Sequence, residues 1–330
     1  MNTFGENIRI TIFGESHGPG IGMVLDGITA GIELDEKFIQ AELARRAPGV
    51  SELSTPRKEA DEPVFMSGLF RGKTTGAPIC AIIRNNDAHS SDYTPDIPRP
   101  AHADLTAQIK YGGFADYRGG GHFSGRLTAV MVTAGAICKQ ILAEKGISVE
   151  AQIVQVGPHT NDELDFSMRK EILDARSAGD SVGSVVKCVA SGIPAGVGGL
   201  MFGGMESRIA TMLYAVPGVK GLEFGAGFAL AAMRGSAAND PIRINDGRIY
   251  TETNHAGGIN GGITNGMPLT LRVALRPTPS ISKEQKTVDL SKMENLDYRG
   301  KGRHDPCLAP RALPVIEACV AFCVLDAMSD

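Results

Sequence analysis

Residues 126–145 read RLTAVMVTAGAICKQILAEK, and residues 314–328 read PVIEACVAFCVLDAM. The first stretch carries Leu127, Val130, Met131, Ala134, Ile137, Cys138, Ile141 and Leu142, has small residues over most of its other face, and closes at Gly146. The second carries Val315, Ile316, Cys319, Val320, Phe322, Cys323, Val324 and Leu325, with Glu317 and Asp326 alone breaking the run. Helices apolar on nearly every side lie inside a large core or in a membrane. Neither offers an unbroken apolar span of about 20 residues, so both read as buried. Two buried helices demand cover on more than one side, which predicts a layered architecture with helices packed against sheets.

The flanking sequence supplies that cover. Runs at 8–13, 22–25, 78–84, 184–190 and 269–274 are rich in Val and Ile and bounded by Gly, Pro or Asn, as strands are. Shorter helices are expected at 38–46 behind an Asp35 N-cap, at 106–110 and at 168–176. No low-complexity linker divides the chain, so residues 1–330 read as a single domain. The two long helices fall late in each half, which hints at an internal duplication, although no residue-level repeat accompanies it.

A net charge of −4 provides no global field for nucleic acid. The six cysteines form no CxxC pair and most sit in apolar runs, like reduced core thiols. The N-terminus is neither basic nor followed by a secretory apolar stretch, so a cytoplasmic protein with no membrane association is expected. Glycine, with 41 copies, clusters in short runs such as Gly119-Gly120-Gly121, suited to backbone that approaches a ligand or turns through positive φ.

Reactive residues gather beside glycine or proline in four places: Glu15-Ser16-His17; Arg99-Pro100-Ala101-His102-Ala103-Asp104; residues 116–126, which contain Arg118, the triple glycine, His122, Phe123, Ser124 and Arg126; and Arg303-His304-Asp305-Pro306-Cys307 with Arg311. The last two precede the buried helices. A glycine-rich entry to a helix presents N–H groups and the positive end of a dipole, and arginine adds a bidentate fork for phosphate or carboxylate. Arg45, Arg46, Arg57, Arg118, Arg126, Arg303 and Arg311 are the candidates. His17 and His102 suit proton transfer near neutral pH. His89, His159 and His255 read as structural, and His304 is left open.

Three motifs mislead. Gly14-x-Ser16-x-Gly18 matches a serine-hydrolase elbow, but Pro19-Gly20-Ile21-Gly22 and a strand-like run follow where that motif needs a helix. Residues 68–74 resemble a P-loop but are one residue short between glycines, and residues 18–22 are not GxGxxG. A serine hydrolase on Gly14–Gly18, a non-catalytic anion-binding protein and a flavin oxidoreductase are the competing classes.

Together the constellations resemble the signatures of the chorismate synthase family. The matching stretches are Phe13-Gly14-Glu15-Ser16-His17-Gly18, Arg99-Pro100-x-His102-Ala103-Asp104, Asp116-Tyr117-Arg118-Gly119-Gly120-Gly121 and Arg303-His304-Asp305-Pro306-Cys307. Thr55-Pro56-Arg57-Lys58-Glu59, Gly72-Lys73-Thr74-Thr75-Gly76, Lys220-Gly221-x-Glu223-Phe224-Gly225 and Gly261-Gly262-Ile263-x-Asn265-Gly266 follow the family's order. The resemblance implies an α+β fold, with antiparallel sheets and helices layered in a β-α-β sandwich with internal duplication. It implies a lyase that eliminates phosphate from 5-enolpyruvylshikimate 3-phosphate to give chorismate, using reduced FMN without net redox change, in the shikimate pathway. By the same resemblance His17, His102 and Asp305 are catalytic, and Arg46, Arg57, Arg126 and Arg303 bind substrate. His122, Phe123, Ser124, Pro217, Gly218, Gly261, Arg276, Pro277, Thr278, Pro279, Ser280 and Arg303 fall at flavin positions. A homotetramer is implied, together with an external, NADP-linked flavin reductant, since no insertion offers a reductase. The chain departs from the family pattern at His122-Phe123, where Arg-Ser is common, at Arg276 in place of Lys, and at Glu52 in place of an arginine.

Overall fold

The computed structural model describes residues 1–49, 53, 61–86, 90, 93–300 and 304–329. Its two larger sheets are antiparallel and five-stranded. In spatial order the first comprises Thr3–Phe4, Arg9–Gly14, Gly20–Asp26, Ile79–Arg84 and Pro63–Ser67. The second comprises Val219–Phe224, Leu269–Leu275, Ser184–Ser191, Ser148–Val156 and His159–Thr160. Alternation of buried and half-buried residues along Ser184–Ser191 and Leu269–Leu275 is what a sheet with one covered face requires.

Between the sheets lie the two apolar helices, Thr128–Glu144 and Ala309–Ala327. The former packs on the first sheet, the latter on the second, and each packs along the other. At their crossing, a Cβ on Gly135 would stand 2.1 Å from the Cβ of Ala318, so only glycine permits this approach. Helices Glu36–Arg46 and Met205–Tyr214 flank the pair. The stretch Gly125–Glu144 is long enough for a membrane span and holds an 18-residue window of mean hydropathy 1.3, yet 78% of that window is buried inside the protein. Buried apolar side chains from both halves make one contiguous cluster.

The acids interrupting the second helix are both satisfied. Glu317 accepts from Arg45, from Lys139 and from the Ala151 amide. Burial pushes its carboxyl up, but Arg45 and Lys139 outweigh this and hold it below the ordinary value. Asp326 accepts from the amides of Glu6, Asn7 and Ile8 and from Arg208. Each acid therefore ties the central helix to a neighbouring layer.

The halves repeat one topology. Arg9–Gly14, Gly20–Asp26, Glu36–Arg46, Pro63–Ser67, Ile79–Arg84 and Thr128–Glu144 recur in order as Ser148–Val156, Ser184–Ser191, Met205–Tyr214, Val219–Phe224, Leu269–Leu275 and Ala309–Ala327, with identical strand neighbours. Contrary to the sequence expectation, a residue-level repeat accompanies this. Gly27-Ile28-Thr29-Ala30-Gly31 is matched by Gly192-Ile193-Pro194-Ala195-Gly196. Gly68, Gly72, Thr74, Gly76 and Pro78 are matched by Gly258, Gly262, Thr264, Gly266 and Pro268. The hydrogen bonds repeat too: Gly31 N donates to Thr74 O and Gly196 N to Thr264 O, both at 2.8 Å, and Thr75 N to Gly68 O and Asn265 N to Gly258 O, both at 3.0 Å.

Most expected elements lie within two residues of their observed bounds, but the second long helix begins at Ala309, ahead of the expected Pro314. Pro310 fits in the first turn, where an N–H would be unpaired anyway, and Pro314 lies inside the helix.

Candidate active site

The duplication sets where the cavity lies. The Glu36–Arg46 helix ends in Ala47-Pro48-Gly49, and its counterpart is followed by Val216-Pro217-Gly218. Pro48, Val216, Pro217 and Gly218 all line one cavity of about 790 Å³, as do the N-terminal ends of both central helices, Leu127, Thr128 and Met131 from one and Arg311, Ala312 and Val315 from the other. Equivalent pieces of the two halves thus contribute to one lining. Two long helices direct their positive dipole ends into it, an arrangement that favours anions.

His17 sits in the turn between Arg9–Gly14 and Gly20–Asp26, the first two long strands. Its Nδ1 is 3.0 Å from Ser90 Oγ, and its ring meets Tyr93 edge-on at 5.2 Å. Gly119, at φ 60°, lies against the other side: a Cβ there would come within 2.3 Å of the imidazole. Ser16 is buried and its hydroxyl donates to the carbonyls of Arg118 and Gly119, at 3.3 and 3.1 Å. A strand rather than a helix follows it, so the hydrolase geometry is absent.

His102 occupies a turn stiffened by Asp104, which accepts from both the amide and the guanidinium of Arg99. The segment 276–280 closes over it. Arg276 donates to Ala101 O at 2.9 Å, and Ser280 Oγ lies 2.6 Å from His102 Nε2. Burial first, then the charge of Arg99, lowers His102 to about 4, with His304 and Arg276 adding to the shift and Asp104 opposing it. The imidazole is therefore neutral at pH 7.

A buried charge cluster forms one wall. Arg46 donates to Thr128 Oγ1 at 3.1 Å, to Asp61 at 2.7 Å and to Gly125 O at 2.9 Å. Arg126 donates to Asn85 Oδ1 at 3.1 Å, to Arg84 O at 3.2 Å and to the other oxygen of Asp61. Burial pushes Asp61 up, yet the two guanidiniums prevail and hold it ionised below the ordinary range. Burial and the charge of Arg311 lower Arg46 to about 10, which leaves it cationic at pH 7. Arg311 bridges Asp305 and the Arg46 carbonyl.

The cavity gathers His17, His102, Asp305, Arg46, Arg126, His122, Phe123, Ser124, Pro217, Gly218, Arg276, Thr278, Pro279 and Ser280. Arg57, Arg303, Glu52 and His89 lie outside the described residues. Pro277 and Gly261 do not line it: the Pro277 ring packs beside Gly183, and Gly261 forms a hairpin turn between Ile259–Asn260 and Ile263–Thr264. Arg45 and Arg118, expected among the anion binders, do not line it either, being paired with Glu42 and Glu317 and with Asp116, respectively. His122 donates from Nδ1 to Gly14 O at 2.8 Å, which ties the triple-glycine loop to the His17 turn. His159 and His255 do not line the cavity; His159 stands beside Glu171, and His255 Nδ1 lies 3.1 Å from the Ala238 carbonyl. His304 joins the site, as do Lys220 and Arg99, which no role had been given. The family-type Lys220-Gly221 pair and the Arg99–Asp104 spacing were the available signals. Asp61 and Asn85 had none. Among the described residues no acid, His and Cys cluster is arranged to hold a metal.

The chorismate synthase family model matches residues 8–329. Chorismate synthases of Thermococcus kodakarensis and Pyrococcus abyssi are each 47% identical, over 98% of this chain and 96% of theirs. That of Methanothermobacter thermautotrophicus is 45% identical over 99% of this chain and 94% of its own. A crystal structure of chorismate synthase superposes with a TM-score of 0.75 at 29% identity, covering 98% of this chain and 92% of that one. On these grounds, and with the α+β layers in place, the chain belongs to the chorismate synthase family and is a lyase.

Proposed function

We propose that the chain converts 5-enolpyruvylshikimate 3-phosphate to chorismate and phosphate by 1,4-anti elimination, with reduced FMN required and no net redox change. The observation that carries this reading is convergence: His17, Arg46, His102, Arg126 and Asp305, from five separate segments, line one cavity with the N-termini of both central helices. A substrate bearing a phosphate and two carboxylates matches that concentration of cations.

The residues fit a flavin. About 790 Å³ lies in the upper range for ligand sites, and Met131, Val216, Pro217, Leu308 and Val315 provide apolar wall for a ring. Thr278 Oγ1 is buried with no hydrogen-bond partner among the described residues, an acceptor and donor awaiting a ligand. Ser124, Arg276, Pro279 and Ser280 share the lining with it, and by resemblance Arg303, Gly261 and Pro277 complete the set. When bound, reduced FMN supplies electron density that lets a C–O and a C–H bond break without an adjacent carbonyl.

The chain's own groups handle anions and protons. Arg46 and Arg126 orient the anionic groups, with Arg57 and Arg303 assigned by resemblance. His17, anchored through Nδ1, is the donor to the departing phosphate. Asp305, aligned by Arg311, is the group assigned to removal of the ring proton. His102 is kept neutral by burial and neighbouring cations. Negative charge in the cavity opposes those cations and raises its proton affinity, the direction needed in a residue that shares a proton with an anionic cofactor. An external, NADP-linked reductant, a homotetramer and a cytoplasmic location complete the proposal. Exposed Phe202, Phe228, Ile244 and Ile249 are the kind of surface that self-association would cover.

The test is an anaerobic assay with 5-enolpyruvylshikimate 3-phosphate and photoreduced FMN, following phosphate and chorismate together. Equal yields of both, absent with oxidised FMN, are expected. Net consumption of reduced flavin would indicate an oxidoreductase, and loss of flavin binding would overturn the reading.

A further inference from the structure

We propose that Asn85 and Asp61 are positioning residues that hold His17 and the two anion-gripping guanidiniums in one register. Neither lines the cavity, and neither belongs to a motif. Asn85 follows the Ile79–Arg84 strand. Its Nδ2 donates to Glu15 O and to Gly18 O, both at 2.9 Å, so one amide spans the turn that carries Ser16 and His17. Its Oδ1 accepts from Arg126 Nε at 3.1 Å. These partners dictate the amide's orientation, because the reverse would set NH2 against a guanidinium. Asp61, 1% exposed, gives one oxygen to Arg46 and the other to Arg126. The chain of contacts thus runs from Arg46 through Asp61, Arg126 and Asn85 to both ends of the His17 turn.

The frame solves two problems at once. Two buried guanidiniums repel and would splay apart unless an acid sits between them. Asp61 fixes their separation by giving each guanidinium one oxygen. A proton donor must also sit at a set distance from the phosphate it serves, and errors near 1 Å cost about 100-fold in rate. Asn85 references that donor to Arg126, the group that orients the phosphate's own molecule.

The two links have separable signatures. Asn85→Ala frees the His17 turn but leaves both arginines on Asp61, so kcat falls about 30-fold or more while KM changes less than threefold. Asn85→Asp keeps an acceptor for Arg126 and loses both donations, so it resembles Asn85→Ala in kcat. Asp61→Asn removes a negative charge from between the guanidiniums and loses the arginines' geometry. It is expected to bind inorganic phosphate several-fold more tightly by calorimetry while KM for the substrate rises about tenfold. Residues that only stabilised the fold would lower Tm, leaving kcat per folded molecule, KM and phosphate affinity at wild-type values, and that result overturns the proposal. The inference rests on the functional reading above, and the two fail separately. An inactive wild type rejects that reading, whereas phosphate affinity needs no turnover and still decides the frame. Should Asp61→Asn not fold, kcat and KM of the Asn85 variants decide it alone.

Discussion

At His102 the opposing forces can be given a sign. Burial, Arg99, His304 and Arg276 lower its folded value to about 4, below the ordinary 6.5. Between those values the unfolded chain takes up a proton that the folded protein refuses, so stability falls as pH drops from 6.5 to 4. The loss is on the order of 3 kcal/mol. His102→Gln removes it, and urea denaturation at pH 7 and pH 4.5 is expected to show a smaller drop for the variant than for the wild type. Equal drops would mean that His102 is no more buried than an exposed imidazole. Gly119 constrains the other histidine. A side chain at φ 60° whose Cβ falls 2.3 Å from the His17 ring must move one of them. Gly119→Ala is expected to lose about 100-fold in kcat by displacing the donor, with a folding cost of only about 1–3 kcal/mol. Full activity in that variant would show that the His17 position is not critical. Such residues were partly legible in the sequence: His17, His102 and Asp305 stand in dense local motifs beside glycine or proline. Asp61 and Asn85 were not, because their roles come from partners on other elements, and an isolated Asp or Asn carries no mark of what it will face.

At the scale of elements, periodicity read well wherever burial was one-sided or complete. The strands around Gly20–Asp26, Ile79–Arg84 and Leu269–Leu275 and both central helices followed from apolar runs. Helix Met205–Tyr214 and strand Ser148–Val156 were missed: the helix opens among glycines, and the strand mixes Glu150, Gln152 and Gln155 into its apolar pattern. The repeat was missed because the spacing between its copies drifts. The second half inserts residues 227–251, including the Ile242–Asn245 and Arg248–Thr251 hairpin, between Val219–Phe224 and Gly258. Thr74 and Thr264 test whether the copies are physically equivalent. Thr74 Oγ1 donates to Thr29 O at 2.6 Å and accepts from Ile32 N at 2.9 Å, while Thr264 Oγ1 donates to Pro194 O at 2.7 Å and accepts from Val197 N at 2.9 Å. Both are buried, and Val in either place keeps the shape but leaves a carbonyl and an amide unpaired. Each substitution is expected to cost about 1–3 kcal/mol, the two agreeing within about 0.5 kcal/mol. A large difference in denaturation midpoints would mean that one copy of the turn has been relieved of its structural duty.

The whole molecule is a stack in which neither sheet has a core of its own. Each sheet is covered mainly by one central helix, and that helix completes its burial against the other and against the flanking helices. The buried apolar side chains accordingly form one cluster, and the cavity lies where the halves meet. Loss of contact between Thr128–Glu144 and Ala309–Ala327 would expose apolar faces in both halves together and open the site. At Gly135 that contact is close, with Ala318 Cα 2.3 Å and Cβ 2.1 Å from where a Cβ would be. Gly135→Val must push the helices apart, and overpacking of this kind costs about 1–3 kcal/mol or more. If residues 1–330 fold as one cooperative unit, amide exchange should accelerate by the same factor in Gly20–Asp26 of the first sheet and Ser184–Ser191 of the second. Exchange that accelerated in only one sheet would show two units that open separately, and the duplication would then survive as two folding domains.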